Sequence, residues 1–190
     1  MTADPGWRPV LRHIHYALFP QLAVWGSRRR NLDGLTSLRL VYLSFVIALV
    51  WILSVLQSLD LGGDGGVSEQ SALLFVLGVA VMSYAGLGVT RRQDRAVGTS
   101  ELAAGRYRVR VFMTLAFTNA IALMGFVFVF LAESPNPYYL GLLLAAPGIY
   151  LGAPTAADLA DEQSDLNGDV DLVGGLLASQ HGMPGRPKRG

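Results

Sequence analysis

The feature that most constrains the fold is a stretch from Arg106 to Ala132, RYRVRVFMTLAFTNAIALMGFVFVFLA. It opens with three arginines, at positions 106, 108 and 110, and then carries no ionisable side chain as far as Ala132. An apolar helix of about 20 residues is long enough to cross the roughly 30 Å hydrocarbon core of a bilayer. The stretch therefore predicts a membrane-spanning helix whose arginine-bearing end faces the cytoplasm.

Three other apolar stretches predict three more spans. The hydrophobic fraction of the chain is 52%, and these residues fall in blocks of about 20, which a soluble core does not require. The fourth stretch is short, contains Pro147 and needs residues 155–157 to reach a full span. The sequence thus predicts an all-α polytopic membrane protein, a four-transmembrane-helix bundle with spans at about 38–57, 71–90, 111–132 and 138–157.

The basic residues outside the predicted spans fall in segments that lie on the same side of the membrane. Five arginines precede the first span and six lie between Arg91 and Arg110, whereas the other two loops contain none. Because cytoplasmic loops carry the excess of basic residues, both termini are predicted to be cytoplasmic, which requires an even number of spans. No cleavable signal peptide is expected, since the first apolar stretch that could span begins only near Thr36.

The predicted domains follow from these spans. Residues 1–35 are a cytoplasmic tail, residues 36–157 the membrane domain, and residues 158–190 a second cytoplasmic tail that is disordered at its end. The first tail has an apolar stripe at helical spacing, which predicts a helix lying on the inner leaflet or, equally, packed against the spans. The stripe consists of Trp7, Val10, Leu11, Ile14, Leu18, Leu22 and Trp25.

The second tail begins with a polar stretch predicted to be helical. The apolar segment that follows it, Leu172–Leu177, is expected to dock against the membrane face of the protein.

A weak internal repeat favours two tandem helical hairpins within the bundle. Leu38-Arg39-Leu40-Val41 enters the first span much as Val109-Arg110-Val111-Phe112 enters the third. The alternative is that any hairpin with a cytoplasmic N-terminus has similar ends.

The main polar feature predicted inside the membrane is the pair Thr118 and Asn119. An amide in lipid needs a hydrogen-bond partner, so Asn119 should face the bundle. One hypothesis is a site that binds an ion or polarises a substrate. The other, which we favour, is a structural hydrogen bond between helices.

Small residues form a second candidate feature, on the fourth span. Gly141, Ala145, Gly148 and Gly152 lie on about the same helical face, which allows another helix to approach closely. Packing within the chain is favoured over homodimerisation, because a four-span bundle must pack its own helices.

Several kinds of chemistry find no support in the sequence. Cysteine is absent, no HExxH, GxSxG or P-loop motif occurs, and His13, His15 and His181 lie in the tails. Asp165, Asn167, Asp169 and Asp171 have the spacing of a calcium loop but lack its glycine and its final glutamate, which favours a helix cap and turn. We therefore predict no catalytic residue, no cofactor and no metal site.

Two resemblances carry further expectations. Leu115–Phe130 resembles the carboxylate-bearing helix of rotary ATP synthase subunit c, a proteolipid, except that Asn119 stands at the carboxylate position. The chain also resembles an uncharacterised bacterial family of short four-span integral membrane proteins. The matching residues are Ala116, Asn119, Ala122, Leu123, Gly125, Phe126 and Val127, then Ala153-Pro154-Thr155 and Leu172–Leu177. Asn119 departs from the family pattern, which usually has glutamate at this position.

These resemblances imply the bacterial cytoplasmic (inner) membrane. The expected function is that of a non-enzymatic accessory or structural component of a membrane assembly. Its expected partners are the lipid bilayer and either a second copy or another membrane protein, not nucleic acid. The alternative is a small ion or solute carrier related in layout to subunit c.

Overall fold

A computed structural model describes residues 4–18, 33–61, 65–92, 99–166 and 170–178. Within these ranges the chain is all-helical and contains no strand. Its helices, in chain order, are α1 (Arg8–Arg12), α2 (Ile14–Leu18), α3 (Gly34–Leu56), α4 (Glu69–Arg92), α5 (Ser100–Ala132), α6 (Asn136–Leu151), α7 (Ala156–Asp165) and α8 (Leu172–Ala178). The predicted fold class is therefore confirmed as all-α.

Three of these helices are long and apolar enough to cross a membrane, namely α3, α4 and α5. At 1.5 Å per residue, even the 23 residues of α3 extend about 35 Å, more than the hydrocarbon core requires. Helix α5 begins at Ser100, well before the predicted start at residue 111. Its first turn contains Glu101, a carboxylate that suits the positive end of the helix dipole, and the sequence from there to the arginines contains no proline.

The fourth predicted span contains a break. Helix α6 has 16 residues, about 24 Å, and the chain bends by 57° between α6 and α7. The break follows from Pro154, which has no N–H to continue a helix, and from Thr155, whose hydroxyl accepts a hydrogen bond from the Asp158 N–H at 3.2 Å and so begins a new helix. The structure thus has three candidate spans, or four if α6 and α7 count as one bent span.

The chain forms two compact units. The first comprises Met1–Ser44, Arg95–Val109 and Pro154–Gly190, and the second comprises Phe45–Asp94 and Arg110–Ala153.

The first unit has a small apolar core with contributions from each of its three segments. Side chains from the tails and from the beginnings of α3 and α5 are almost completely buried there: Val10, Leu35, Leu38, Tyr107, Leu159, Leu172 and Leu176. Leu172 and Leu176 belong to the apolar segment that was expected to dock, and both are fully buried. The Tyr107 hydroxyl donates to Asp158 Oδ2 at 2.7 Å, which joins α5 to α7.

The N-terminal tail is interrupted as a helix at His13, between α1 and α2. Val10 is buried, whereas Leu11, Ile14 and Leu18 are exposed, so part of the apolar stripe lies outside the core of the unit. Leu22 and Trp25 lie outside the described residues.

The second unit is built from the apolar parts of α3, α4, α5 and α6. Its core consists of Leu49, Leu56, Val76, Ala80, Ile121, Ala122, Val129, Tyr138 and Ala145. The connection between α5 and α6 is only three residues long, and Glu133 within it has a left-handed φ of 49°. Asn136, the first residue of α6, donates its side-chain amide to Glu69 Oε1 at 2.9 Å.

Candidate functional site

The predicted polar pair lies on the buried side of α5 in the second unit. Thr118 is fully buried and Asn119 is 5% exposed. The Thr118 hydroxyl donates to the carbonyl of Thr114 at 2.7 Å, and the Asn119 side-chain amide donates to the carbonyl of Leu115 at 2.8 Å. Both donors thus bond to carbonyls one turn earlier on their own helix, which satisfies them without a second helix.

The predicted small residues of α6 lie directly against α5. A Cβ added to Gly141 would come within 3.0 Å of the Ile121 carbonyl oxygen, and one added to Gly152 within 2.5 Å of Thr114 Cγ2. A Cβ on Gly148 would overlap Thr118 Cγ2. Ala145, between them, is fully buried. The small residues therefore allow α6 to approach the threonine-bearing face of α5, and this packing is within the chain.

Tyr84 of α4 completes this contact, and sequence analysis missed it. Its hydroxyl donates to the carbonyl of Leu144 at 2.7 Å and accepts from the N–H of Gly148 at 3.1 Å. These two backbone groups of α6 lie on either side of Pro147, which has no N–H to donate within the helix. The Tyr84 hydroxyl thus bridges two backbone groups of the turn that contains Pro147.

Together, Tyr84, Thr118, Pro147 and Gly148 form what we call the Tyr84 junction, where α4, α5 and α6 meet. The sequence signal for it is Pro147, since a proline inside an apolar helix requires a partner for the backbone groups it frees. The junction brings Thr118 and Gly148 together.

A second polar cluster lies in the first unit and centres on Arg39, which is only 1% exposed. Its guanidinium contacts both carboxylate oxygens of Asp4, at 2.9 and 2.7 Å, and donates from Nε to the carbonyl of Pro154 at 2.9 Å. It also donates to the carbonyl of Gly6 and lies 5.3 Å from the ring centre of Trp7. We call these five residues the Arg39 clasp.

The local sequence explains how the clasp forms. Gly6 has a φ of +70°, which glycine adopts without strain, and the turn brings its carbonyl to Arg39. A buried arginine requires acceptors for its N–H groups, and Asp4 supplies a bidentate one. Sequence analysis treated Arg39 only as part of a repeat. A single arginine within an apolar helix was a signal that an acidic partner had to exist elsewhere.

The clasp changes the acidity of Asp4. Burial on its own raises the pKa of this carboxyl, but the hydrogen bonds from Arg39 and from the Gly6 N–H, together with the charge of Arg39, outweigh it. The pKa of Asp4 therefore lies below its ordinary value of 3.8. The ion pair is consequently formed at neutral pH.

Neither cluster resembles a reaction centre. The Tyr84 junction has no ionisable carboxylate, amine or imidazole, and in the Arg39 clasp the only carboxylate is bound to the guanidinium. In the described ranges, no group of three or more histidine, aspartate or glutamate side chains is placed to hold a metal ion. Both clusters join separate segments of the chain.

Comparison with models of protein families, with curated proteins and with solved structures found no match to this chain.

Proposed function

We propose that this protein is a non-enzymatic accessory or structural component of a membrane assembly, in the bacterial cytoplasmic membrane. The observation that carries the proposal is the Tyr84 junction. Its hydroxyl groups and the neighbouring Asn119 amide all donate to backbone carbonyls of the protein itself. The Tyr84 bond joins two helices and so stabilises their packing, whereas the Thr118 and Asn119 bonds leave no polar donor of the pair facing outward for a substrate.

A carrier usually requires a different arrangement. Transporters place ionisable residues or broken helices near the middle of the membrane, where they bind a substrate or coupling ion. Here α6 is a continuous helix through Pro147, Tyr84 binds the turn that contains this proline, and Asn119 cannot titrate. These features favour a rigid bundle over a site that binds and releases an ion.

The composition of the first unit supports a topology of four crossings with both termini on one side. This unit combines the N-terminal tail and the first part of α3 with the segment before the third span and with the C-terminal tail. Three segments can pack together in one compact body only if they lie on the same side of the bilayer. The excess of arginine in these segments supports the cytoplasmic side.

In this topology α6 is the fourth span. Its length of about 24 Å is less than the roughly 30 Å core, which a locally thinner bilayer accommodates at modest cost. The layout is that of the four-span bacterial family which the sequence resembles, and membership of that family is part of this proposal.

The first experiment tests the accessory role through assembly. The tagged full-length protein is extracted from native membranes in a mild detergent, and its native mass is compared with the 20.4 kDa of a single chain. We expect a defined stoichiometric complex with a membrane partner or a defined oligomer. A bare monomer would contradict the accessory role.

The second experiment tests the carrier alternative. Wild-type protein and Asn119→Leu are placed in liposomes, and proton and monovalent cation flux is measured. Ser54→Ala, which removes an exposed polar group from another span, is the control. We expect no flux above that of empty liposomes from any of them. Wild-type flux that Asn119→Leu abolishes in an assembled protein would establish the carrier instead.

A further inference from the structure

Among the described residues of the first unit, Arg108 is the arginine with buried side-chain atoms that lack a hydrogen-bond partner. Its Nε and Nη2 atoms are buried and have no hydrogen-bond partner among the residues that the structure describes. The neighbouring arginines of the same helix, Arg106 and Arg110, both have interaction partners. The guanidinium of Arg39 is held by acceptors on two sides. Arg108 is therefore a partly exposed arginine whose Nε and Nη2 atoms lack an acceptor.

The two unsatisfied atoms belong to a single edge of the guanidinium. In arginine, the Nε–H and one N–H of Nη2 point in the same direction, and their spacing matches two oxygens of a carboxylate or phosphate. One missing bidentate anion accounts for both atoms. Buried donors in native proteins are almost always satisfied, and an unpaired buried charge is costly. The edge is thus a ready site for an anion.

Four of the described carboxylates of the same unit are engaged elsewhere. Asp4 is bound to Arg39, Asp33 accepts from Thr36, Asp158 accepts from Tyr107, and Asp171 accepts from the N–H of Gly174. None of these hydrogen bonds involves Arg108. An acceptor from outside the chain is therefore the simplest way to complete the site.

The position of Arg108 along α5 indicates which anion is available. It lies three residues before Val111, where the apolar run without ionisable side chains begins, and hence about 4.5 Å from it along the helix. That is the level of the lipid headgroups if α5 crosses a membrane. Leu102 and Val109, on either side of it in the chain, are apolar and more than half exposed, at 55% and 57%. Headgroup phosphates are the most abundant anions at such a surface.

We propose that the Nε and Nη2 edge of Arg108 binds a phosphate group, supplied by the headgroup of an anionic membrane lipid. Free inorganic phosphate offers the same chemistry, and the experiment separates the two sources. The proposal requires that α5 crosses the membrane, but it does not depend on the accessory role.

The test uses the full-length protein, delipidated in detergent. Phosphatidylglycerol is added stepwise and bound lipid is counted by native mass spectrometry, for wild type, Arg108→Gln, Arg108→Lys and the control Arg106→Gln. We expect Arg108→Gln to weaken lipid binding by about tenfold or more, because it removes a charge-assisted pair of hydrogen bonds. Arg108→Lys keeps the charge without the two-pronged edge, so a loss of affinity is expected there as well. Arg106→Gln should stay within about twofold of wild type.

Thermal unfolding of the same samples shows whether each variant is folded. Without lipid, Arg108→Gln should be at least as stable as wild type, because it removes a partly exposed cation whose Nε and Nη2 atoms lack an acceptor. Added lipid should then raise the melting temperature of wild type but not that of Arg108→Gln. If Arg108→Gln does not fold, the lipid binding of Arg108→Lys is compared with that of Arg106→Gln to the same end.

Two results would overturn the site. Unchanged lipid binding in Arg108→Gln would show that this edge is not used, and an equal loss in Arg106→Gln would show that only diffuse positive charge attracts lipid. In a final measurement, inorganic phosphate is added to distinguish free phosphate from a lipid headgroup as the ligand. If phosphate stabilises wild type but not Arg108→Gln and displaces the lipid, the phosphate chemistry is supported and the lipid source is wrong.

Discussion

Gly148 is the single residue on which the closest helix contact in the second unit depends. Its missing side chain makes room for the methyl group of Thr118, and its N–H is bound by the Tyr84 hydroxyl. A methyl group at this position would have to displace a threonine that is fully buried and hydrogen-bonded to its own helix. Glycine is therefore needed here because it has no side chain. Its backbone freedom is not required, since the backbone at this position is ordinary helix.

We predict that Gly148→Ala lowers the free energy of unfolding by about 1–3 kcal/mol, because it overpacks the Tyr84 junction. The matched control is Gly78→Ala on α4, where an added Cβ would contact nothing within 4 Å. That variant should be as stable as wild type or more stable, by up to about 1 kcal/mol, because alanine has a higher helix propensity than glycine. Unfolding in detergent with a titrated denaturant measures both. Equal stability of the two variants would contradict the close packing of α6 on α5.

At the scale of the helices, the sequence alone predicts the long apolar helices, because the length and composition of an apolar run are enough to identify a membrane span. Helices α3 and α4 lie within a few residues of the predicted spans. The beginning of α5 is not predictable in this way, because the hydropathy pattern marks where the apolar run begins at Val111 and not where helical hydrogen bonding begins at Ser100.

The polar clusters are harder to predict, since their partners are distant in sequence. Pro147 signals a helical turn that lacks one N–H, but any nearby hydroxyl could bind that turn, and Tyr84 lies 64 residues from Gly148. Arg39 signals a missing acidic partner, yet Asp4 lies 35 residues away and the Pro154 carbonyl 115. The small residues of α6 were predictable because helical periodicity alone places them on one face of that helix. Thr118 was predictable as a polar residue inside an apolar run.

The Arg39 clasp joins the N-terminal tail to α3 and to the start of the C-terminal tail, so its acid sensitivity is a prediction at this scale. Because the pKa of Asp4 is lowered in the folded protein, the stabilisation is fully present above the ordinary value of 3.8 and is lost as the pH falls through the lower, folded value. We therefore predict that the clasp holds from about pH 7 down to about pH 4 and opens below pH 3.8.

Trp7 fluorescence measures this opening, since the ring lies over the Arg39 guanidinium. The other two tryptophans, Trp25 and Trp51, are replaced by phenylalanine so that the signal has one source. Asp4→Asn should show the open signal already at about pH 7 and no acid transition. A transition between about pH 5 and pH 7 would point to histidine instead and would contradict the role of Asp4.

At the scale of the whole molecule, the open question is whether α6 crosses the membrane. By length and composition, three helices can span, and a bent α6–α7 pair adds a fourth. An odd number of crossings would place the N-terminal and C-terminal tails on opposite sides. The first unit contains both tails, and for this reason we infer an even number.

Single cysteines provide a direct test, because the chain has none of its own. We would place one at each of three exposed positions, as Arg8→Cys, Ser68→Cys and Ser164→Cys, and label intact spheroplasts with a maleimide that does not cross membranes. With four crossings and cytoplasmic termini, only the cysteine at position 68 is labelled, and the other two react after the membrane is opened. Three crossings would instead place positions 8 and 164 on opposite sides, so that one of the two reacts from outside. That outcome would rule out α6 as a span, and with it the assignment of both tails to a single compact unit on the cytoplasmic side.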